Sequence, residues 1–210
     1  MSAPEAVCDP EPTVYIVDDD LAVRESLRWL IASVNLRVTD FPGAESFLDA
    51  YEPGSMGCLV TDVRMPGMSG LELQRVLARR SILLPVIIIT GHGDVEMAVR
   101  AMKAGAFDFI EKPFKDQDLL DHVQNAIQEN IRDVGERVQQ DHVMGRMEKL
   151  TPRERQVLGM IVAGEANKGI AYHLGISGKT VEVHRARVMD KMQAKSLAEL
   201  MKMVMILESY

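Results

Sequence analysis

The sequence predicts two domains: an α/β domain on a five-stranded, doubly wound parallel sheet, then an all-α helix-turn-helix domain, joined by a long helical linker. Three observations carry this. Over residues 1–124, short β-rich runs alternate with amphipathic stretches of helical period. From Leu150 onward only helical periodicity remains. The charge changes sign between the two parts: 11 Lys/Arg against 20 Asp/Glu in 1–124, 3 against 5 in 125–148, and 10 against 6 in 149–210. An acidic module joined to a basic one is the asymmetry expected when only the second meets phosphates.

The strands read as Thr13–Val17, Arg37–Phe41, Cys58–Thr61, Val86–Ile89 and Phe107–Ile110. Helices fall between them at about Ala22–Ser33, Ala44–Tyr51, Ser69–Arg79 and Val95–Ala104, and another begins at Lys115. This last helix meets no proline up to about Gln140 and grades into a polar linker. Four helices follow, at Pro152–Val162, Lys168–Leu174, Lys179–Met192 and Leu197–Leu207. Thr151-Pro152-Arg153-Glu154 has the Thr, Pro and Glu of a helix start, and Gly164 and Gly175 mark helix ends. The boundaries are therefore a tail at 1–11, the α/β domain at 12–124, the linker at 125–148 and the helical domain at 149–210.

A chain of 210 residues, 47% hydrophobic and 26% charged, has enough apolar surface to bury two small cores. Its apolar runs, such as Ile82 to Thr90, fall short of the ~20 residues of a membrane span. Met1 to Pro12 lacks the basic start and apolar stretch of a signal peptide, so the expected compartment is the cytoplasm, with no membrane partner. Cys8 and Cys58 have no metal-ligand spacing, and neither a disulfide nor a zinc site is expected.

In a doubly wound sheet the ligand site lies at the carboxyl ends of the strands. There the sequence places Asp18-Asp19-Asp20, then Asp62, then Thr90-Gly91, then Lys112-Pro113. Singly, each has a plain structural explanation: helix cap, turn, strand-end hydroxyl, solvated lysine. Together they suit phosphoryl transfer to a carboxylate. Converging carboxylates repel one another and call for a divalent cation, and hard oxygen ligands select Mg²⁺. A carboxylate nucleophile forms an aspartyl phosphate, whose oxygens a lysine and a hydroxyl stabilise.

Val17-Asp18-Asp19-Asp20, Thr61-Asp62-Val63-Arg64-Met65-Pro66-Gly67-Met68-Ser69-Gly70, Ile89-Thr90-Gly91-His92-Gly93 and Phe109-Ile110-Glu111-Lys112-Pro113-Phe114 resemble the receiver signatures of two-component response regulators. The resemblance covers about residues 12–125 and implies a flavodoxin-like fold. It implies that Asp62 accepts the phosphoryl group from a cognate sensor histidine kinase. Asp19 and the Arg64 carbonyl then help hold Mg²⁺, with Asp18 supporting it through water, and Thr90 and Lys112 contact the phosphoryl oxygens. Phe109 takes the place of the switch aromatic that moves with the threonine; a static core aromatic is the other reading. Arg64 and His92 flank the site and either tune phosphoryl lifetime or are merely solvated, and Lys112-Pro113 falls where receivers carry a cis peptide.

In the second domain, Lys179, Arg185, Arg187 and Lys191 follow the turn at Gly175. At 100° per residue Val181, Val188 and Met192 form an inward stripe, while Lys179, Val183, Ala186 and Arg187 face the other way, as on a helix seated in a major groove. Leu150-Thr151-Pro152-Arg153-Glu154-Arg155, Asn167-Lys168-Gly169-Ile170-Ala171 and Ser177-Gly178-Lys179-Thr180-Val181-Glu182-Val183-His184-Arg185 resemble the LuxR-type DNA-binding domain over about 148–207. With the receiver, this is similar to the FixJ branch of response regulators. The resemblance implies promoter DNA as ligand, RNA polymerase as partner and a homodimer formed on phosphorylation. Lys179, Val183 and Arg187 belong to the reading helix, and Thr180, His184 and Lys191 lie nearer phosphates. Glu182 departs from relatives with a basic residue there, so their base readout does not transfer. Leu197, Leu200, Met203, Val204 and Leu207 line the last helix as core, dimer surface or both.

The resemblance implies no enzyme beyond a receiver that catalyses its own phosphorylation and dephosphorylation. Two alternatives stand beside it. Asp18-Asp19-Asp20 also satisfies the acid-x-acid opening of haloacid-dehalogenase phosphatases, although no late acidic pair follows Lys112-Pro113 at a strand end and Asp62 would have no role. The other is a receiver that works without phosphorylation.

Overall fold

The computed structural model describes residues 11–91 and 95–208; Cys8 and His92 lie outside the described residues. By compactness the chain divides into a unit ending at Val134 and a unit beginning at Gly135.

The first unit holds strands β1 (Thr13–Val17), β2 (Arg37–Phe41), β3 (Gly57–Asp62), β4 (Val86–Thr90) and β5 (Asp108–Glu111). All pair in parallel in the order β2-β1-β3-β4-β5. The winding therefore reverses between β1 and β3, and a crevice opens beyond their carboxyl ends. Between the strands lie α1 (Leu21–Ala32), α2 (Ala44–Ala50), α3 (Gly70–Arg79) and α4 (Val95–Lys103), and α5 begins at Asp116.

Strand periodicity distributes the core. Val14, Ile16, Cys58, Val60, Ile87 and Ile89 face α1 and the first half of α5. Their neighbours Val17, Leu59, Val86 and Ile88 face α2, α3 and α4. Both faces of the sheet are thus buried, as parallel strands require. On α1, by contrast, Trp29 is 80% exposed.

Three strands differ slightly from the sequence expectation. Strand β3 extends to Asp62 and β4 to Thr90, because Asp62 pairs with Ile89 and Thr90 with Glu111. Strand β5 is shifted by one residue; the turn at Gly105 (φ 88°) precedes it, and Asp108 is the first residue in register with Ile87.

The helix expected to begin at Lys115 and to continue as a helical linker is α5, one continuous helix over Asp116–Glu148. The segment 125–148, expected to act as a linker, is packed at both ends. Ala126, Ile127 and Asn130 are buried in the first unit, where the Asn130 side chain accepts from Gly57 N–H and donates to the Leu83 carbonyl. Val143 is buried in the second unit, with Met147 packed beside it. The apolar positions hidden among Gln, Glu and Arg keep the helix intact past Gln140.

The second unit continues with α6 (Pro152–Val162), α7 (Asn167–Leu174), α8 (Gly178–Met192) and α9 (Leu197–Glu208). Its core joins Val143 and Leu150 to Val157, Leu158, Ile161, Ile170, Val181, Val188, Met192, Leu200 and Val204. A fragment spanning 135–210 is therefore expected to melt at least about 5 °C above one spanning 149–210. The shorter fragment loses Val143 and Met147, and a fully buried aliphatic side chain contributes about 1.5–3 kcal/mol. Circular dichroism melts compare them; equal midpoints would mean that the last turns of α5 add nothing to this core.

Candidate functional site

At the carboxyl edge of the first unit's sheet the chain turns sharply after β1. Asp20 caps α1, its Oδ1 accepting from Ala22 N–H at 2.8 Å, so the structural reading holds for this one of the three aspartates. Asp18 turns inward: Oδ1 accepts from Asp20 N–H at 2.9 Å, and Oδ2 lies 3.2 Å from the Lys112 ammonium. Burial raises the Asp18 carboxyl above its ordinary value and the Asp62 charge adds to this, while the Asp20 N–H and Lys112 oppose it. Asp19 is exposed at the rim.

Asp62 ends β3. Its Oδ2 accepts from Arg64 N–H at 2.6 Å and its Oδ1 lies 3.3 Å from Lys112 Nζ, so one ammonium is shared by two carboxylates. The residue starting α3 must be glycine, because a Cβ on Gly70 would stand 2.2 Å from the Asp62 carbonyl oxygen. The preceding loop is held by Glu45, whose Oε1 accepts from Met68 N–H at 3.1 Å.

Thr90 is buried at the end of β4, and its carbonyl accepts from Lys112 N–H at 2.8 Å, tethering one candidate contact to the other. Phe109 on β5 is partly buried against the core facing α3 and α4. The Lys112-Pro113 peptide is cis.

The donors at this edge are all oxygen: the carboxylates of Asp18, Asp19 and Asp62 and the carbonyl of Arg64. Among the described residues no three or more His, Cys, Asp or Glu side chains converge into a metal cage. An open set with one or two carboxylates is nonetheless what Mg²⁺ takes, since it keeps several waters and phosphate oxygens. Two carboxylates on one lysine, with Asp19 at the rim, also leave the edge short of positive charge, so the residues fit a hard divalent cation.

Sequence reasoning missed Arg24. Its Nη1 donates to the carbonyls of Asp18 (2.8 Å) and Asp19 (3.2 Å), and its Nε donates to Asp40 Oδ2 (3.2 Å). An arginine one helical turn beyond Asp20 was the available signal, but its partners are backbone atoms and a residue on another strand.

In the second unit, α7 ends at Gly175, whose left-handed conformation (φ 64°) reverses the chain before α8. Ser177 caps α8, accepting from Thr180 N–H at 3.1 Å, and its hydroxyl meets the Thr180 hydroxyl at 2.8 Å. Val181, Val188 and Met192 are fully buried, and Lys179, Thr180, Glu182, Val183 and Arg187 are exposed. His184 is half-buried, its Nδ1 without a hydrogen-bond partner among the described residues.

Lys191, expected nearer phosphates, is paired within the second unit. Its ammonium is 2.7 Å from Glu154 Oε2, a carboxylate 2% exposed that also accepts from Thr151 N–H at 2.8 Å. Lys191 first, and the Thr151 N–H after it, hold the Glu154 carboxyl down at about 2, against the opposing effect of burial. This folded-state value lies below the ordinary 4.5, so the stabilisation is complete above that pH and is lost as pH falls towards 2. The Thr151–Glu154 capping box was legible in the sequence; that the same glutamate reaches the far end of α8 was not.

Residues 14–124 match the response regulator receiver domain and residues 148–204 match the bacterial regulatory proteins of the luxR family. The chain is 51% identical over 193 residues to the transcriptional regulatory protein FixJ of Azorhizobium caulinodans, covering 92% of each chain. It is 44% identical to the transcriptional regulatory protein TdiR of Thauera aromatica, covering 92% of this chain and 85% of that one. Among solved structures it is similar to the response regulator StyR (47% identity, TM-score 0.83, 95% and 100% coverage) and to full-length FixJ from B. japonicum (44%, 0.58, 96% and 99%). The acidic crevice with its lysine, and the capped basic helix on an apolar anchor, are the two halves of one architecture: the chain belongs to the FixJ-type two-component response regulators, with a receiver and a LuxR-type DNA-binding domain.

Proposed function

We propose that Asp62 is the phospho-acceptor through which a sensor histidine kinase controls promoter binding by this protein. The single ammonium of Lys112, 3.2 Å from Asp18 and 3.3 Å from Asp62 at the sheet edge, carries this reading. An Asp62 carboxylate oxygen attacks the phosphorus of the kinase phosphohistidine. The new O–P bond forms as the P–N bond breaks, and the imidazole leaves with the electron pair. Asp19, Asp62 and the Arg64 carbonyl would hold Mg²⁺, with Asp18 supporting it through water, and the bound ion would screen the negative charge gathering on the phosphoryl oxygens.

Within the chain, Arg64 N–H fixes one Asp62 oxygen and leaves the other towards Lys112. On phosphorylation Lys112 stays at the acceptor and pairs with a phosphoryl oxygen, and the Thr90 hydroxyl donates to another. The Thr90 movement is taken up by Phe109, which packs on the same face of the sheet as α4.

On α4, Val95, Val99 and Met102 are exposed at helical spacing and form an apolar stripe on the face expected to dimerise. Dimerisation sets two α8 helices on adjacent half-sites about one helical turn apart, and the weak affinities combine through effective concentration. Lys179, Val183 and Arg187 face the groove, and Thr180 lies where helix-capping groups meet the DNA backbone. The bound dimer then regulates transcription through contact with RNA polymerase.

Four variants test this. Asp62→Asn abolishes labelling by a small phosphodonor with Mg²⁺; labelling at the normal rate would move the nucleophile to Asp18. Val99→Glu leaves Asp62 labelling intact but keeps the phosphorylated protein monomeric in sedimentation. It also removes a phosphorylation-dependent gain in operator affinity of roughly 10²-fold or more, and an undiminished gain would make dimerisation through α4 irrelevant. Lys179→Met reduces the salt slope of operator binding by about one. Lys191→Met leaves that slope unchanged and lowers stability by roughly 1–3 kcal/mol, since it strands Glu154. A reduced slope for the Lys191 variant would return this lysine to the phosphate backbone.

A further inference from the structure

We infer that Arg24 is the positioning residue of the acid pair, holding the Asp18–Asp19 backbone so that both carboxylates are presented to a divalent cation. The inference rests on the proposed Mg²⁺-dependent acceptor site and adds to it a residue outside the expected set.

Beyond Val17 the chain leaves the sheet, and the Asp18 N–H makes only a long bond, 3.3 Å, to the Phe41 carbonyl. The Asp18 and Asp19 carbonyls lie past the last residue of β1 in register with its neighbours. Arg24 fills that gap with one nitrogen directed at both carbonyls, at 2.8 and 3.2 Å. Its side chain is 11% exposed, so the bonds face little competition from water.

Charge separates this role from that of Lys112. Arg24 is matched by Asp40 on β2, which receives its Nε at 3.2 Å and lies 3.8 Å from Arg28. The guanidinium therefore orients the backbone behind the acid pair without neutralising the carboxylates in front of it. Lys112, in contrast, contacts the carboxylates themselves. The arrangement needs the planar fork, which addresses Asp40 in one direction and the carbonyls in another, and a lysine in its place reaches only one of these.

Mn²⁺ binding to the full chain, followed by the electron paramagnetic resonance of the free ion, tests the role without reference to phosphorylation. Arg24→Met weakens binding by about tenfold, as expected for removal of a group that orients metal ligands. Arg24→Lys and Asp40→Asn fall between it and the unaltered protein, and they decide the question if Arg24→Met does not fold. Leu27→Ala, a buried change on the same helix, lowers the melting temperature and leaves Mn²⁺ affinity unaltered. Labelling by a phosphodonor gives a second readout: the Arg24 variants need more Mg²⁺ for half-maximal rate and recover to within about twofold of the normal rate at saturation. Mn²⁺ affinity unchanged in all the Arg24 and Asp40 variants, or an equal loss in Leu27→Ala, overturns the inference while the acceptor site stands. Absence of Mn²⁺ binding by the unaltered protein overturns both.

Discussion

Like charges gathered at one edge of a sheet are the constraint on which the first unit depends. Asp18 and Asp62 come from different strands, and their repulsion is contained because Lys112 lies 3.2 and 3.3 Å from them. Its backbone N–H is tied in turn to the Thr90 carbonyl. The winding reversal between β1 and β3 opens the crevice, Gly70 lets α3 begin directly against the Asp62 carbonyl, and Arg24 anchors the turn after β1. Strand order, a glycine and two cations thus serve one electrostatic arrangement.

The second unit solves a different problem, that of presenting a polar helix without losing it to solvent. Three fully buried side chains, Val181, Val188 and Met192, seat α8 in the core, and Ser177 fixes its start. Its far end is secured by the Lys191–Glu154 pair and by Arg146, whose guanidinium donates to the Met192 carbonyl at 3.2 Å. A cation beside the last carbonyls of a helix also meets the negative end of its dipole. The exposed residues between these fixings are thereby free to vary in sequence without unseating the helix.

Period and position made the sheet and its acidic edge legible in the sequence. The β-rich runs Thr13–Val17 and Val86–Ile89 located strands, and the strand-end rule picked out Asp18, Asp62, Thr90 and Lys112 without any coordinate. The inward stripe of α8 came from 100° per residue. Less legible were interactions joining residues distant along the chain through backbone atoms or single pairs. Asn130 reaches Gly57, Arg24 reaches the Asp18 carbonyl, and Lys191 pairs with Glu154. No local pattern encodes these, and the polar run after Gln124 hid Val143 and Met147, whose packing keeps α5 helical to Glu148.

Trp29 is the sole indole of the chain, and α1 turns it out to water. Unfolding changes its surroundings very little, so intrinsic fluorescence is a poor measure of whether either core has formed. The same placement makes it a native optical reporter on the outer face of α1. Emission from that position moves to shorter wavelength when another macromolecule covers the ring, and a quencher in solution loses access to it. Association at this face is therefore readable without an attached dye.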